Sequence, residues 1–364
     1  MTRPTLAIID RAALRNNFAR VRAIAPGRKV MGIVKANAYG HGIVRVARLL
    51  CDDTGVDALG VACLEEAEGL RIAGVQKPIT LLEGVFEADE YRNAARLRLT
   101  VVIHHLWQIE ALESVASSMP MPISVWLKVD TGMHRLGLTP ERVMDAWQRL
   151  HTCRGVLPPV GLMTHFACAD ERNSPTTARQ LACFSKTVAG LPGAWCLANS
   201  AAILSDPAGH GQWVRPGLML YGVSPFSGES AASLGLCPVM QFTSRLIAIN
   251  TVRQGEAVGY GGRGVVTADT LVGMVAAGYA DGYPRHAPSG TPILVNGRPA
   301  SLLGRVSMDM LCVDLTNHPD ARIGDPVLLW GKGLPVEEIA AAAGTIPYEL
   351  LSHIARRVAI EERN

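Results

Sequence analysis

The sequence contains little that would bind a polyanion or cross a membrane. No run of Lys and Arg is long enough to grip a phosphate backbone, and the net charge of the 364 residues is only +3. The longest uncharged stretch that we find, residues 187–205, is interrupted by Gly190, Pro192 and Gly193, which argues against a lipid-exposed helix. The N-terminal segment reaches Asp10 before a hydrophobic signal region could form. We therefore expect no nucleic-acid partner, no membrane association and a cytoplasmic location.

The cysteines form no pattern of a disulfide frame or a zinc site. Eight are scattered along the chain without a Cys-x-x-Cys pair, at positions 51, 63, 153, 168, 183, 196, 237 and 312. Several lie inside apolar runs, as Cys63 does in residues 61–63. This usage is typical of reduced core residues in a cytosolic protein, and we expect no metal.

Charged residues are also scarce, at 18%, whereas hydrophobic residues make up 48% of the chain. This is too little charge for a disordered protein and enough apolar material for a sizeable core. With roughly 150 residues per domain, the length predicts one large domain and one small one.

The first two thirds of the chain alternate short apolar runs with helix-like segments. The helix-like segments include residues 10–24 and 41–52, each with its apolar residues on one face. The eight candidate strands are 30–34, 58–62, 79–82, 99–103, 123–129, 160–164, 195–197 and 218–221. This pattern predicts a parallel (β/α)8 barrel of the TIM type, although the periodicity alone also fits a doubly wound sheet.

The pattern changes near residue 235, after which β-branched or alternating runs are separated by Gly-rich turns such as Asn296-Gly297. The predicted strands are 246–249, 264–267, 271–275, 292–295, 311–315 and 327–330, followed by a helix at 336–343. We predict a barrel over residues 10–235 and a mostly-β C-terminal domain over residues 236–364. Residues 1–9, which contain a candidate strand at 5–9, are expected to pair with the second domain.

In a (β/α)8 barrel the chemistry gathers at the C-terminal ends of the strands. Residues at these predicted ends are Lys35, Lys128, Asp130, His165, Asn199, Ser200, Arg215 and Gly217. A lysine at an apolar strand end loses its proton more readily, and a neutral amine is what a Schiff base requires. On spacing alone, a solvated lysine at a strand end remains the alternative for Lys35.

The sequence around Lys35, Val-Lys-Ala-Asn-Ala-Tyr-Gly-His-Gly at 34–42, resembles the pyridoxal-phosphate (PLP) lysine motif of the alanine racemase family. Further blocks similar to that family lie at 126–137, 164–167, 198–201, 214–217, 220–222, 258–261, 278–282, 304–309 and 347–349. They follow the family order and cover nearly the whole chain. The resemblance implies a PLP-binding barrel, a C-terminal β domain and a head-to-tail homodimer.

The resemblance also implies catalytic roles. Lys35 is the residue to which PLP attaches and the base for the D-enantiomer, while Tyr260 of the other subunit is the base for the L-enantiomer. Arg215 faces the ring nitrogen of PLP, and His165 bridges Arg215 and Tyr260. Because an arginine stays charged and can only donate a hydrogen bond, this partner should suppress side reactions such as transamination.

The remaining implied roles concern binding. The phosphate ligands are Tyr39, Ser200, the backbone at Gly217 and Leu218, and Tyr348. The substrate-binding residues are Arg135, the backbone amide of Met308, and Tyr279 at the substrate entrance. Lys128 matches a lysine that is carbamylated in some members of the family, where it orients the arginine. One departure is the segment 195–198, Trp-Cys-Leu-Ala, in which the resemblance leads us to expect a histidine in many relatives.

These expectations together predict a PLP-dependent racemase that interconverts L- and D-alanine. A broader-specificity amino-acid racemase is one alternative. A PLP decarboxylase is another, against which Arg215 argues, because such an enzyme is expected to place an acid at the ring nitrogen. A non-catalytic PLP-binding homeostasis protein is the third, and the β domain with Tyr260 counts against it.

Overall fold

The computed structural model describes residues 3–364, which begin with a strand that leads directly into a helix. Strand β1 (Leu6–Asp10) is followed by helix α1 (Arg11–Ile24). Asp10 caps the helix, because its carboxylate accepts a hydrogen bond from the backbone N–H of Ala13 at 2.8 Å. The apolar face of α1 is buried, as the spacing of its residues predicts.

Eight parallel strands then form a closed barrel, each paired with the next and the last with the first. They are β2 (Lys29–Ile33), β3 (Ala58–Val61), β4 (Ile79–Leu81), β5 (Leu99–Ile103), β6 (Ser124–Lys128), β7 (Gly161–Met163), β8 (Trp195–Cys196) and β9 (Trp213–Val214). The predicted (β/α)8 barrel is confirmed, and the doubly wound sheet is wrong.

Helices follow the barrel strands. They are α2 (Lys35–Tyr39), α3 (Ile43–Leu49), α4 (Leu64–Ile72), α5 (Glu90–Arg96), α6 (Leu106–Val115), α7 (Pro140–Thr152), α8 (Thr176–Thr187) and α9 (Ser200–Ser205). Helix α2 is a single left-handed turn, and α3 continues into a π-helical turn at Leu50–Thr54.

The predicted eighth strand, 218–221, is wrong. These residues form a buried 3₁₀ turn, Leu218–Tyr221, and the eighth barrel strand is β9. The turn is apolar because it packs against α1, and the Tyr221 hydroxyl donates to the carbonyl of Ile33 at 2.8 Å. A short apolar run does not distinguish a buried strand from a buried turn, and β9 is too short to produce such a run.

The C-terminal part is mostly β-structure with two helices. Its strands are β10 (Met240–Val252), β11 (Ala257–Val258), β12 (Gly264–Val265), β13 (Thr270–Val275), β14 (Pro292–Val295), β15 (Arg298–Leu302), β16 (Leu311–Asp314), β17 (Pro326–Trp330) and β18 (Ala359–Arg363). Its helices are α10 (Val336–Ala343) and α11 (Pro347–Ser352). Strands β11, β15 and β18 and helix α11 are absent from the sequence prediction. Asn296 and Gly297 form the predicted tight turn between β14 and β15, both with positive φ.

The main sheet of this part has the order β13-β16-β15-β14-β17-β10-β1-β18. Strand β1 lies between β10 and β18, antiparallel to the first and parallel to the second, with Leu6 opposite Thr243 and Ala359. The chain therefore starts in the C-terminal sheet before it enters the barrel. The boundary between residues 235 and 236 stays a prediction.

All eight cysteines lie within the described residues and carry free thiols. Over residues 3–364, the helices are too short or too polar to span a bilayer.

Candidate active site

A cavity of about 730 Å³ lies at the C-terminal ends of the barrel strands. It brings together eleven of the residues that the sequence singled out. They are Lys35, Tyr39, Lys128, Arg135, His165, Asn199, Ser200, Arg215, Gly217, Leu218 and Tyr348. Segments far apart in the chain thus meet at one barrel mouth, where catalytic groups of such barrels gather.

Lys35 is followed by an unusual backbone conformation. The four residues Ala36 to Tyr39 have φ values between 52° and 54°, which places them in the left-handed region. Each non-glycine residue there costs roughly 1–2 kcal/mol, so neighbouring contacts must hold the turn. Gly40 closes it with φ of 78°, packed so tightly against the carbonyl of Leu351 that a Cβ would overlap it. The turn is therefore packed tightly against α11.

His41 holds the far end of this turn. Its Nδ1 lies 3.0 Å from the carbonyl of Ala38 and 2.8 Å from that of Tyr39, so this nitrogen carries the hydrogen and donates it. The ring is fully buried and packs against Tyr221 in a tilted arrangement, with 4.5 Å between ring centroids. Burial lowers the pKa of His41 to about 4, so the imidazole stays neutral at physiological pH.

Four cationic side chains line the cavity: Lys35, Lys128, Arg135 and Arg215. The pKa of Lys128 falls to about 8, mainly through burial and then through the charges of Arg215 and Arg135. Among the residues that line the cavity, Glu83 carries the single carboxylate. The excess of positive charge suits a ligand with several negative charges.

Arg215 is held by backbone carbonyls at the ends of β7 and β8. Its Nη2 donates to the carbonyls of Thr164 and Leu197 at 2.9 and 3.0 Å, and its Nη1 donates to the carbonyl of Cys196. Nη1 also lies 3.2 Å from the Cys196 sulfur. These bonds fix the guanidinium in one orientation.

Another part of the cavity wall provides hydroxyl groups and little side-chain bulk. Ser200 Oγ accepts from the backbone N–H groups of Gly217 and Met219, at 2.9 and 3.2 Å. A Cβ on Gly217 would lie 2.6 Å from the hydroxyl of Tyr39, so only glycine fits there. Burial raises the pKa of Tyr348 to about 12 and also raises that of Tyr39. Both phenols therefore stay protonated and can donate hydrogen bonds.

This donor set fits a phosphate group. Two phenols, a serine hydroxyl and backbone amides surround a space that a side chain at Gly217 would fill. Lys35 and the fixed Arg215 lie on the same cavity and offer an amine and a hydrogen-bond donor to the rest of a ligand. The residues present therefore fit PLP.

Asp130, a predicted strand-end candidate, does not line the cavity, and three residues that the resemblance implies lie elsewhere. Tyr260 begins a 3₁₀ turn, Tyr260–Gly262, and is 71% exposed, while Met308 and Tyr279 are 52% and 36% exposed. They belong to the C-terminal part, and within residues 3–364 they do not line the cavity. A single chain therefore does not bring Tyr260 to Lys35.

The sequence reasoning missed Glu83. Its Oε1 lies 4.0 Å from Nζ of Lys35. The buried Gln108 fixes the loop that carries it, because its amide donates to the carbonyl of Val85 at 3.1 Å and accepts from the N–H of His104 at 2.8 Å. Glu83 directly follows the predicted strand 79–82, so the strand-end rule could have found it.

Another missed residue is Asp281, which is fully buried. Its carboxylate accepts from Arg3 and Arg357, each at 2.7 Å, and from the backbone N–H of Gly278 at 2.8 Å. Arg357 comes from the C-terminal tail, whose arginines had no role in the sequence analysis. The pair of arginines fixes the segment that carries Tyr279.

Family models match both parts of the chain. The model "Alanine racemase, N-terminal domain" matches residues 9–225, and "Alanine racemase, C-terminal domain" matches residues 239–361. The chain belongs to the alanine racemase family. The predicted family is therefore confirmed, and so is the predicted enzyme class, an amino-acid racemase.

Individual relatives are similar to this chain along nearly its whole length. The alanine racemase of Pectobacterium atrosepticum is 51% identical over 355 residues, covering 98% of this chain and 97% of the relative. The biosynthetic alanine racemase of Escherichia coli K12 is 49% identical and covers 97% of this chain and 98% of its own. Among solved structures, the biosynthetic alanine racemase of Pseudomonas aeruginosa has a TM-score of 0.95 at 49% identity, with both chains covered completely.

Proposed function

We propose that the protein is a PLP-dependent racemase that interconverts L- and D-alanine, working in the cytoplasm as a homodimer with shared active sites. The observation that carries this proposal is that Lys35 lines a cavity at the barrel mouth together with hydroxyl and amide donors that suit a phosphate and with the fixed Arg215. The relatives named above are alanine racemases of similar length, which supports alanine as the substrate.

The cofactor would be held at both ends. Tyr39, Ser200, Tyr348 and the backbone at Gly217 and Leu218 would bind the phosphate. Arg215 would donate a hydrogen bond to the ring nitrogen, and Lys35 would bind the aldehyde carbon. When bound, PLP supplies an electron-withdrawing ring that acidifies the α-hydrogen of an attached amino acid.

Two bases would act on opposite faces of the substrate. Nζ of Lys35 removes or returns the α-proton of D-alanine, and Oη of the partner subunit's Tyr260 does so for L-alanine. When one residue removes the proton from its own face, the other donates a proton to the opposite face, so the configuration at the α-carbon inverts. Because the two enantiomers have equal free energy, the products reach equal concentrations from either side.

Arg215 and His165 would assist without exchanging the proton themselves. Arg215 stays charged and cannot protonate the ring nitrogen, so negative charge stays near the α-carbon and prompt reprotonation is favoured over transamination. Since Arg215 donates to Nδ1 of His165, the hydrogen of His165 is on Nε2. From there it can donate to the phenol oxygen of the partner subunit's Tyr260 and stabilise its negative charge.

The substrate carboxylate would be bound by Arg135 and by the backbone amide of Met308. Lys128 would orient Arg135 after carbamylation: near its pKa of about 8 part of the lysine is neutral at physiological pH, and the neutral amine is the form that adds carbon dioxide. Tyr279 would narrow the entrance and exclude large side chains.

The incomplete active site of a single chain supports the proposed homodimer. The barrel mouth is open, and the exposed Tyr260, Tyr279 and Met308 lie on the C-terminal part. A head-to-tail pair would place one chain's C-terminal part against the other's barrel mouth, which would complete two equivalent sites.

Chiral product analysis tests the proposal. Purified protein with PLP should convert L-alanine to D-alanine until the two are equal, and it should act much more slowly on L-amino acids with larger side chains. Comparable rates on bulky amino acids would favour the broader racemase. PLP binding without any turnover would favour a homeostasis protein.

A further inference from the structure

The left-handed turn after Lys35 is held at its start by a residue that nothing in the proposed mechanism uses. The carboxylate of Glu66, in helix α4, accepts a hydrogen bond from the backbone N–H of Ala36 at 2.7 Å. Its other oxygen accepts from the backbone N–H of Ala62 at 2.8 Å. We propose that Glu66 is a positioning residue that holds this turn, and with it Lys35 and Tyr39, in the conformation that binds PLP.

The turn needs such a contact because it is strained. Four successive non-glycine residues with positive φ relax to other conformations unless the surroundings fix them. His41 and Gly40 fix the C-terminal end, through the carbonyls of Ala38 and Tyr39 and through packing on α11. Glu66 fixes the N-terminal end, at the peptide group that joins Ala36 to Lys35.

Glu66 also connects the ends of two neighbouring strands. Ala62 directly follows β3, and Lys35 lies two residues after β2, which pairs with β3 in parallel register. One carboxylate therefore fixes the mutual position of both strand ends at the barrel mouth. Helix α4 favours a negative charge here, since Glu66 lies in its first turn.

A carboxylate suits this position because both of its oxygens are acceptors. Glutamine has one acceptor oxygen, and its NH₂ group would face the second N–H. The substitution Glu66→Gln therefore preserves size but breaks one of the two bonds. Glu65→Gln is a matched control: it removes the same charge from the neighbouring position, which is exposed and does not contact Ala36.

The inference rests on the proposed attachment of PLP to Lys35, and PLP affinity tests it. Full-length protein is stripped of PLP with hydroxylamine and titrated with PLP by absorbance. We expect the Kd of E66Q to rise about tenfold or more, as loss of a hydrogen bond to a charged group implies. E65Q should keep the wild-type Kd. A folded E66Q with wild-type Kd would overturn the inference.

A second variant separates positioning from general weakening of the fold. Glycine adopts positive φ without steric cost, so Ala36→Gly relieves part of the strain that Glu66 opposes. The effect of E66Q on the Kd should therefore be smaller in the A36G background than in the wild type. Equal effects in both backgrounds would show that Glu66 does not act through the strained turn.

The outcomes also separate this inference from the proposed function. If wild-type protein does not bind PLP at Lys35, the proposed function fails. If it does, and E66Q binds PLP equally well, only the role of Glu66 fails. Should E66Q not fold, Glu66→Asp replaces it, since the shorter side chain cannot reach both amides and the same rise in Kd is expected.

Discussion

Nη2 of Arg215 lies 3.3 Å from Nδ1 of His165 in the wall of the barrel mouth. Because a guanidinium has only donors, Nδ1 must accept, and the hydrogen of His165 is directed to the other side of the ring. The pKa of His165 is held well below its usual value, first by burial and then by the charge of Arg215. His165 is therefore a neutral hydrogen-bond donor through Nε2.

The first prediction concerns cofactor attachment. Lys35 lies in the same cavity as the phosphate donors, so borohydride treatment of the PLP-loaded protein should fix the cofactor to the peptide that contains Lys35. Peptide mass spectrometry checks this. Lys128 lines the same cavity and is the internal control. A label on Lys128, with Lys35 unmodified, would overturn the assignment.

The second prediction concerns the phosphate end. In Gly217→Ala the new Cβ would lie 2.6 Å from the hydroxyl of Tyr39, which must move away. We expect the Kd for PLP to rise by about tenfold, the cost of losing roughly one hydrogen bond. Because the colliding atom is that hydroxyl, G217A should weaken binding much less in a Tyr39→Phe background. Equal losses in both backgrounds would mean that the two residues act independently.

The barrel strands could be predicted from the sequence because their apolar runs are continuous and separated by amphipathic segments. β9 could not, since only Trp213 and Val214 pair there, whereas the buried turn at 218–221 imitates a strand. The backbone conformation of the residues after Lys35 could not be predicted from the sequence either. Alanine and asparagine have no backbone preference strong enough to predict four successive residues in the left-handed region. Contacts from residues distant in the chain, such as Glu66, impose this conformation.

The site residues also divide into those that the sequence pattern predicts and those that it does not. Those at strand ends, such as Lys35 and His165, follow from the barrel rule, and Glu83 could have been found by it. Tyr260 lies on an exposed turn of the C-terminal part, where only the family resemblance pointed to it. A residue that would function in the neighbouring subunit leaves no signal in the periodicity of its own chain.

The third prediction concerns acid stability. His41 has a pKa of about 4 in the folded protein and about 6.5 when unfolded, so between these values the unfolded state binds the extra proton. The neutral buried His41 contributes up to about 3 kcal/mol to the free energy of unfolding. This contribution is complete above pH 6.5 and is lost as the pH falls toward 4. Other buried histidines, such as His165, add to the same slope.

Urea unfolding at pH 7.5 and at pH 5 measures how much His41 contributes to the pH dependence of the free energy of unfolding. The variant His41→Asn keeps a donor for the carbonyls but cannot titrate, so its stability should change less between the two pH values. The slope of the wild-type protein, measured alongside at both pH values, is the reference. If H41N also retained that slope, the neutral buried state of His41 would be wrong.

The fourth prediction concerns the base for L-alanine. Tyr260→Phe should still bind PLP, because the substitution leaves Lys35 and the phosphate donors unchanged. Removal of the α-proton from L-alanine should fall by about 10²-fold or more, as expected for loss of a general base. Deuterium exchange into L-alanine measures this step. Exchange at the wild-type rate would refute the role of Tyr260.

The last prediction is that activity requires two subunits. Lys35 lies at the barrel mouth, whereas Tyr260 is exposed on the C-terminal part and does not reach that cavity within its own chain. Lys35→Ala and Tyr260→Phe should each be nearly inactive alone. Co-folding the two variants allows mixed dimers, in which one site collects both defects and the other collects an intact Lys35 and an intact Tyr260.

Complementation should therefore restore up to about half of the wild-type activity per mixed dimer, because a two-fold dimer has two equivalent sites. Different affinity tags on the two variants allow the mixed dimers to be isolated before assay, and each variant purified alone gives the background. If the isolated mixed dimers stay at that background, Lys35 and Tyr260 do not combine across the interface, and the shared active site is wrong.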